Sequence, residues 1–204
     1  MYLKFFKRFF DLVFSIVLGL IISPFILIIS FVVLCSHGRP IFYIHSRIGF
    51  SGNSIDIFKF RTMYLDAEFK LEKHLREHPK DRKIWNEKHK LINDPRITNF
   101  GLFLRRYSLD ELPQILNVLK GEMSLVGPRP IVGDEIKKYG DSFSFYKKVK
   151  PGITGLWQVS GRNDIDYSKR VALDEFYVSN LSFLLDLLIL LKTFPAILSK
   201  KGAY

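Results

Sequence analysis

The chain of 204 residues holds one cysteine, Cys35, so no intrachain disulfide can form. That usage is compatible with a reducing compartment. Acidic side chains are also short: 20 Asp and Glu stand against 31 Lys and Arg, for a net charge of +11. Such an excess points to anionic partners, namely nucleic acid, anionic lipid or phosphorylated substrates. Several phosphate and nucleic-acid signatures are missing. There is no Gly-Lys-Ser/Thr loop and no GxGxxG, and no RNA-recognition, helix-turn-helix or zinc spacing, so no nucleic-acid partner is expected. No internal repeat or low-complexity tract occurs. Apolar residues, by contrast, are plentiful: 48% hydrophobic and 15% aromatic, with 19 Phe. This suffices for a core and leans towards a membrane-associated surface. The length fits one domain plus an appendage.

The appendage is the run Leu12 to Cys35, which has no charged side chain. At about 1.5 Å per residue it could span a bilayer as a helix. It is too long for a signal peptide and no A-x-A-like site follows. Two readings stay open. One is a single transmembrane helix; the other is a helix that enters the membrane, bends and leaves by the same face. Ser23-Pro24 lies mid-run, where proline removes a ladder bond and predicts a kink or break. Both flanks are basic: Lys4, Lys7 and Arg8 before, Arg39 and Arg47 after. Retention of positive charge on one side suits the second reading, although prolines also occur in ordinary spans.

After Gly38-Arg39-Pro40, residues 41–44 and 54–60 read as strands around a Gly49–Asn53 turn, a β-hairpin with Lys59 and Arg61 at its far end. Those two cations lie either on a solvated face or against an anion. From Asp66 to Lys90 the charges are dense and mixed, giving one or two surface helices broken near Pro79. His74 and His78 have helical spacing but lack the HExxH pattern, so a solvated face is the better reading. Trp85 is expected to pack this excursion onto the body. Near the end, Leu181 to Leu191 is too short to span a bilayer and reads as a core helix or an interfacial one, with Phe194-Pro195 starting a last turn.

The densest chemistry lies in Arg105-Arg106-Tyr107-Ser108-Leu109-Asp110-Glu111-Leu112-Pro113-Gln114, continued by Gly127-Pro128-Arg129-Pro130. Guanidinium forks suit phosphate oxygens. A carboxylate among arginines is expected to stay ionised, and beside a phosphate it can attack phosphorus or hold a divalent cation. A plainer reading also fits: Ser108-x-x-Glu111 matches a capping box, with Asp110 in the first turn. A helix from Pro113 should close at Lys120-Gly121, with the glycine as its cap. Met123–Val126 is a candidate buried strand. Pro151–Asn163 is strand-like and punctuated by glycines, which either let amides approach a phosphate or simply bend the chain. Arg162 is its candidate anion ligand.

Taken together these motifs resemble one family, the bacterial sugar transferases, which are monotopic polyprenyl-phosphate phosphoglycosyl transferases. The matching residues, spread over essentially the whole chain, are Lys7-Arg8-x-x-Asp11-Leu12, Ser23-Pro24, Phe58-Lys59-Phe60-Arg61-Thr62-Met63, Asp94-Pro95-Arg96-Ile97-Thr98, Ser108–Gln114, Val126–Pro130 and Lys150–Arg162. Each is weak alone, but the ordered set is specific. One departure is His45, where Gln is expected before Ser46-Arg47.

The resemblance implies an α+β fold: a small, mostly helical cytosolic catalytic domain (residues 39–204) with a short β-hairpin. To it are attached a re-entrant membrane segment (1–38), broken at Ser23-Pro24, and interfacial amphipathic helices. It implies transfer of a sugar 1-phosphate from a UDP-sugar donor to undecaprenyl phosphate at the cytosolic face of the bacterial inner membrane, with release of UMP. Asp110 would be the nucleophile and Glu111 its assistant. Mg²⁺ is the implied cofactor, held in part by Asp110. On the physical reading of the residues, Arg105, Arg129 and Arg162 are the candidates for balancing the diphosphate charge, with Lys59 and Arg61 helping at the membrane side. The chain looks like the bare catalytic unit, without the transmembrane bundle of some members. Galactose is the first choice of sugar, the partners are donor, acceptor and inner-membrane lipid, and a homodimer is compatible with the family.

Overall fold

A computed structural model describes residues 5–88, 91, 93–161 and 164–198. Its order is α1 (Lys7–His37), β1 (Phe42–Ile48), β2 (Ser54–Phe60), α2 (Ala67–Glu77), α3 (Pro79–Lys88), α4 (Asn99–Arg106), α5 (Ile115–Lys120) and β3 (Ser124–Val126). It continues with α6 (Ile136–Tyr139), α7 (Phe143–Tyr146), β4 (Gly152–Thr154), α8 (Leu156–Val159), α9 (Tyr167–Ser179) and α10 (Phe183–Leu198). β1 and β2 form an antiparallel hairpin, and β3 and β4 a short parallel pair. The coarse expectation of a mostly helical chain with one hairpin and a long apolar N-terminal helix holds. Two surface helices do meet at Pro79, and Arg96 lies over the Trp85 ring at 4.6 Å, tying them to the body.

α1 is long and apolar enough to cross a bilayer. At about 1.5 Å per residue its 31 residues extend roughly 46 Å. Helical geometry continues through Ser23 and Pro24, so the expected break in the helix is not there. The reason is local. Pro24 has no N–H for the Leu20 carbonyl, and the Ser23 hydroxyl donates to that oxygen instead, at 2.9 Å. In the same way α10 runs through Pro195 rather than restarting at it.

Both ends of α1 are fastened to one body. At its start, Lys7 Nζ donates to Asp186 Oδ2 at 2.6 Å, an ion pair with almost no exposure. Arg8 donates to the Val118 and Leu119 carbonyls at 2.6 and 2.9 Å, covering the open end of α5. Asp11 accepts from Ser124 Oγ and Leu125 N, each at 3.0 Å. At its end, Ile29 and Val33 pack on Phe60 and Leu104, and Arg61 donates to the His37 and Gly38 carbonyls. Residues 7, 11, 15, 22, 26, 29 and 33 recur at helical spacing on this docked face. The opposite face stays apolar and exposed, from Phe9 and Val13 through Leu20 and Leu27 to Phe31. The Lys-Arg-x-x-Asp motif is therefore a docking motif.

The main core gathers Ile57, Ile115, Val118, Met123, Leu125, Val126, Tyr177 and Ile189. A smaller cluster under α9 contains Tyr139 and Tyr146 beside buried Asp174, which accepts from Tyr139 at 2.7 Å. Burial pushes the Asp174 carboxyl up to about 7 against the lowering effect of that bond. The folded chain thus keeps this proton where an unfolded Asp, with a pKa of about 3.9, has lost it. Stability from this group is full below about pH 4 and falls as pH rises to about 7, by at most about 1.4 kcal/mol per unit. Asp174→Asn keeps the acceptor and removes the slope. Melting curves in detergent at several pH values should show the variant gaining on the wild type between pH 4 and 7; parallel curves would contradict this.

Candidate active site

The carboxylate pair sits on a 3-10 turn, Leu109–Gln114, between α4 and α5. Ser108 enters it in the left-handed region, with φ of 56°, a conformation that costs a non-glycine residue about 1 kcal/mol. Its side chain makes no cap bond, so the capping-box reading fails. Glu111 turns away from the backbone. Its Oε1 accepts from Lys59 Nζ at 2.7 Å and from Arg129 Nη2 at 3.0 Å.

Each of these cations is placed by its own element. Lys59 lies on β2 opposite Tyr43 of β1. Directly paired residues of an antiparallel ladder share a face, so Lys59, His45 and Arg47 are all on one side of the hairpin. Buried Asn117 of α5 fixes that strand, accepting from Phe58 N at 3.1 Å and donating to Asp56 O at 2.7 Å. Arg129 sits between Pro128 and Pro130, and the corner is stitched to β4 by Gly127 N to Thr154 O (2.9 Å) and Gly152 N to Pro128 O (2.8 Å). A Cβ on Gly152 would lie 2.1 Å from Gly127 N, and one on Gly155 2.3 Å from Gly127 O. Gly152 and Gly155 thus serve backbone contact between the two motifs. Residues Arg47, Ile57, Lys59, Glu111, Gln114, Arg129 and Pro130 line the resulting cleft.

The two carboxyls are pushed apart. Burial opposes ionisation of Glu111, but Arg129 and Lys59 outweigh it and hold the group well below the usual carboxylate range. For Asp110, burial and the neighbouring Glu111 charge raise the pKa over the opposing effects of Lys59, Arg105 and Arg129. The expectation of an ionised carboxylate among arginines thus holds for Glu111, whereas at Asp110, which is 8% exposed, burial and the Glu111 charge work against it. Such divergence is what separate chemical roles require, and the more basic group is the better nucleophile when ionised.

Arg105 approaches from the other side. Its Nε donates to Thr62 Oγ1 at 2.8 Å, and both Asp110 and Asp94 act on its charge. Asp94 is itself bound two-pronged by Arg96, at 2.8 and 2.6 Å. Arg61 is different. It lies just past the end of β2, and its guanidinium turns to the α1 terminus, donating to the His37 and Gly38 carbonyls rather than lining the cleft. Arg162 lies outside the described residues. Ser23 and Pro24 are within α1, away from this cleft. His45 and Arg47 are in or beside it although the sequence marked them only as a departure and a flanking charge. Their i,i+2 spacing with Tyr43 on a strand paired to Lys59 was the signal available.

Among the described residues no group of three or more His, Cys, Asp or Glu gathers to hold a metal. Mg²⁺ usually keeps waters and takes one or two carboxylates plus substrate phosphates. With Glu111 shared between Lys59 and Arg129, Asp110 is the carboxylate of the pair that fits that partial role.

A buried carboxyl of raised pKa beside fixed cations is an arrangement that suits an anionic ligand such as a phosphate. Residues 2–200 match the family described as bacterial sugar transferase, and the chain belongs to that family. It is 48% identical over 97% of its length to the exopolysaccharide production protein ExoY of Rhizobium meliloti (strain 1021), covering 88% of that protein. It is 48% identical over 98% of its length to an undecaprenyl-phosphate galactose phosphotransferase of Salmonella typhimurium, and 47% over 98% to a UDP-galactose-lipid carrier transferase of Erwinia amylovora. Of each of these two it spans only 42%.

Separation of Arg61 from the cleft has a measurable consequence. Arg61→Met removes charge-assisted bonds to two carbonyls and should cost about 1–3 kcal/mol of stability. Binding of inorganic pyrophosphate to the full chain should be unchanged. Weakened pyrophosphate binding with an unchanged melting temperature would contradict this placement.

Proposed function

We propose that the chain transfers a sugar 1-phosphate, galactose 1-phosphate first among the choices, from a UDP-sugar to undecaprenyl phosphate, so beginning a cell-surface glycan. The observation that carries this reading is the raised, buried Asp110 set between Arg105, Lys59 and Arg129, with its neighbour Glu111 already tied off. An Asp110 carboxylate oxygen attacks the sugar-bearing phosphorus of the donor. The bond from that phosphorus to the bridging oxygen breaks, and UMP leaves with the electron pair. A phosphate oxygen of the acceptor then attacks the same phosphorus, the aspartyl bond breaks and the carboxylate is restored.

Arg129 and Lys59 balance charge as it moves onto the departing phosphate. Glu111 holds both in place and lowers the net positive charge, so that product is not held too tightly. Mg²⁺, held by Asp110 together with substrate phosphates, would supply further charge stabilisation.

The acceptor's phosphate lies at headgroup level, so the cleft must rest there. Docking of α1 on one body along its length supports association from a single face, because a spanning helix could not keep both of its ends against one cytosolic body. In this reading the cytosolic leaflet of the bacterial inner membrane takes the apolar face of α1, and exposed Leu102 and Phe103 of α4, with Leu184, Leu191 and Leu198 of α10, lie at its surface. Names of two relatives that mention galactose support the choice of donor.

Asp110→Asn is nearly isosteric and should cut UMP release from UDP-galactose and undecaprenyl phosphate by at least about a thousandfold. Retained release would exclude Asp110 as nucleophile, and a panel of UDP-glucose and N-acetylated UDP-sugars with the wild type assigns the sugar.

A further inference from the structure

Among the described residues, no carboxylate contacts Arg47 of the cleft. Its Nη2 meets His45 Nδ1 at 3.2 Å. Guanidinium groups only donate, so the imidazole accepts there and carries its proton on Nε2. That neutral state is consistent with burial and with the charges of Arg47, Lys59 and Arg129, which push His45 down to about 4. Arg47 Nε is buried and has no hydrogen-bond partner. Glu135 and Glu111 act on Arg47 only through space, while Arg129 opposes its charge.

Three cations thus line the cleft with one carboxylate, Glu111, which is already shared between Lys59 and Arg129, while Glu135 acts from outside the lining. A half-buried guanidinium with an unused N–H and a like charge beside it is costly unless an anion completes it. The lattice of contacts that holds it there is extensive. Ile48 N donates to Ile131 O at 2.8 Å, and Tyr146 donates to Ile48 O at 2.6 Å, clamping the residue next to Arg47 against the Pro-Arg-Pro corner.

We propose that Arg47 is a further phosphate-binding residue of this site and that His45 positions its guanidinium. This rests on the transfer reading for the identity of the phosphate, which is either the donor's diphosphate or the acceptor's monophosphate. It does not rest on that reading for the binding of an anion.

The test uses the full chain in detergent. Arg47→Ala should weaken binding of inorganic pyrophosphate by about tenfold or more, with an unchanged melting temperature. In turnover it should raise KM more than it lowers kcat. A rise confined to the UDP-sugar assigns Arg47 to the donor; a rise confined to undecaprenyl phosphate assigns it to the acceptor. Arg47→Lys should recover part of the loss, because it keeps charge and loses the fork. His45→Ala should shift KM in the same direction by less, and His45→Gln should restore it. Equal pyrophosphate binding by Arg47→Ala and wild type would overturn the proposal, as would a fall in stability with both KM values unmoved. A wild type that binds pyrophosphate through Arg47 but releases no UMP would instead refute the transfer reading alone.

Discussion

The Glu111 carboxylate, held between Lys59 and Arg129, is the contact on which the cleft depends. It joins three chain segments far apart in sequence: the second hairpin strand, the turn after α4 and the Pro-Arg-Pro corner. Two cations pressed together in a half-buried site repel, and Glu111 is what allows both to be there. The same contact settles the division of labour between adjacent carboxyls. With Glu111 ionised and occupied, Asp110 is left buried next to a negative charge and becomes the more basic of the two. Removing the middle carboxylate would free Lys59 and Arg129 from each other and collapse that difference.

A second constraint fixes where the cleft can lie. The first turn of α1 is bound through Lys7, Arg8 and Asp11, and the last through Arg61. Tyr177 extends the first anchor, donating to Asp186 at 2.7 Å and to Val126 O at 3.0 Å. One hydrogen-bonded network therefore joins α1, α9, α10 and the strand leading to the Gly-Pro-Arg corner. An apolar helix docked at both ends brings the site and the exposed apolar face into fixed relation, which a single tether would not do.

Much of this was legible in the residues. Alternation over Ser54–Phe60 gave the hairpin, Gly121 gave the end of α5, and Pro79 gave the boundary of two surface helices. The Asp110-Glu111 pair and Arg129 were identifiable because they combine opposite charges with rigid backbone. Less local features were not. Ser108-x-x-Glu111 carries the local signal of a cap, and a salt bridge to residues 52 positions before and 18 after overrides it. Pro24 signals a break, yet helical geometry runs through it and the Ser23 hydroxyl takes up the Leu20 carbonyl. The glycines after Pro151 look like an anion loop, yet they are small because Gly127 lies against them. Arg61 and Lys59 are two residues apart with the same charge, and only the fold shows that one closes a helix while the other faces the cleft.

The most direct measurement is the mass of the protein itself after rapid quenching with UDP-galactose in the absence of lipid acceptor. The account predicts one added hexose phosphate, mapped to the peptide containing Asp110, and its loss when undecaprenyl phosphate is supplied. UMP formation with no adduct at any quench time, or an adduct on a different residue, would contradict it.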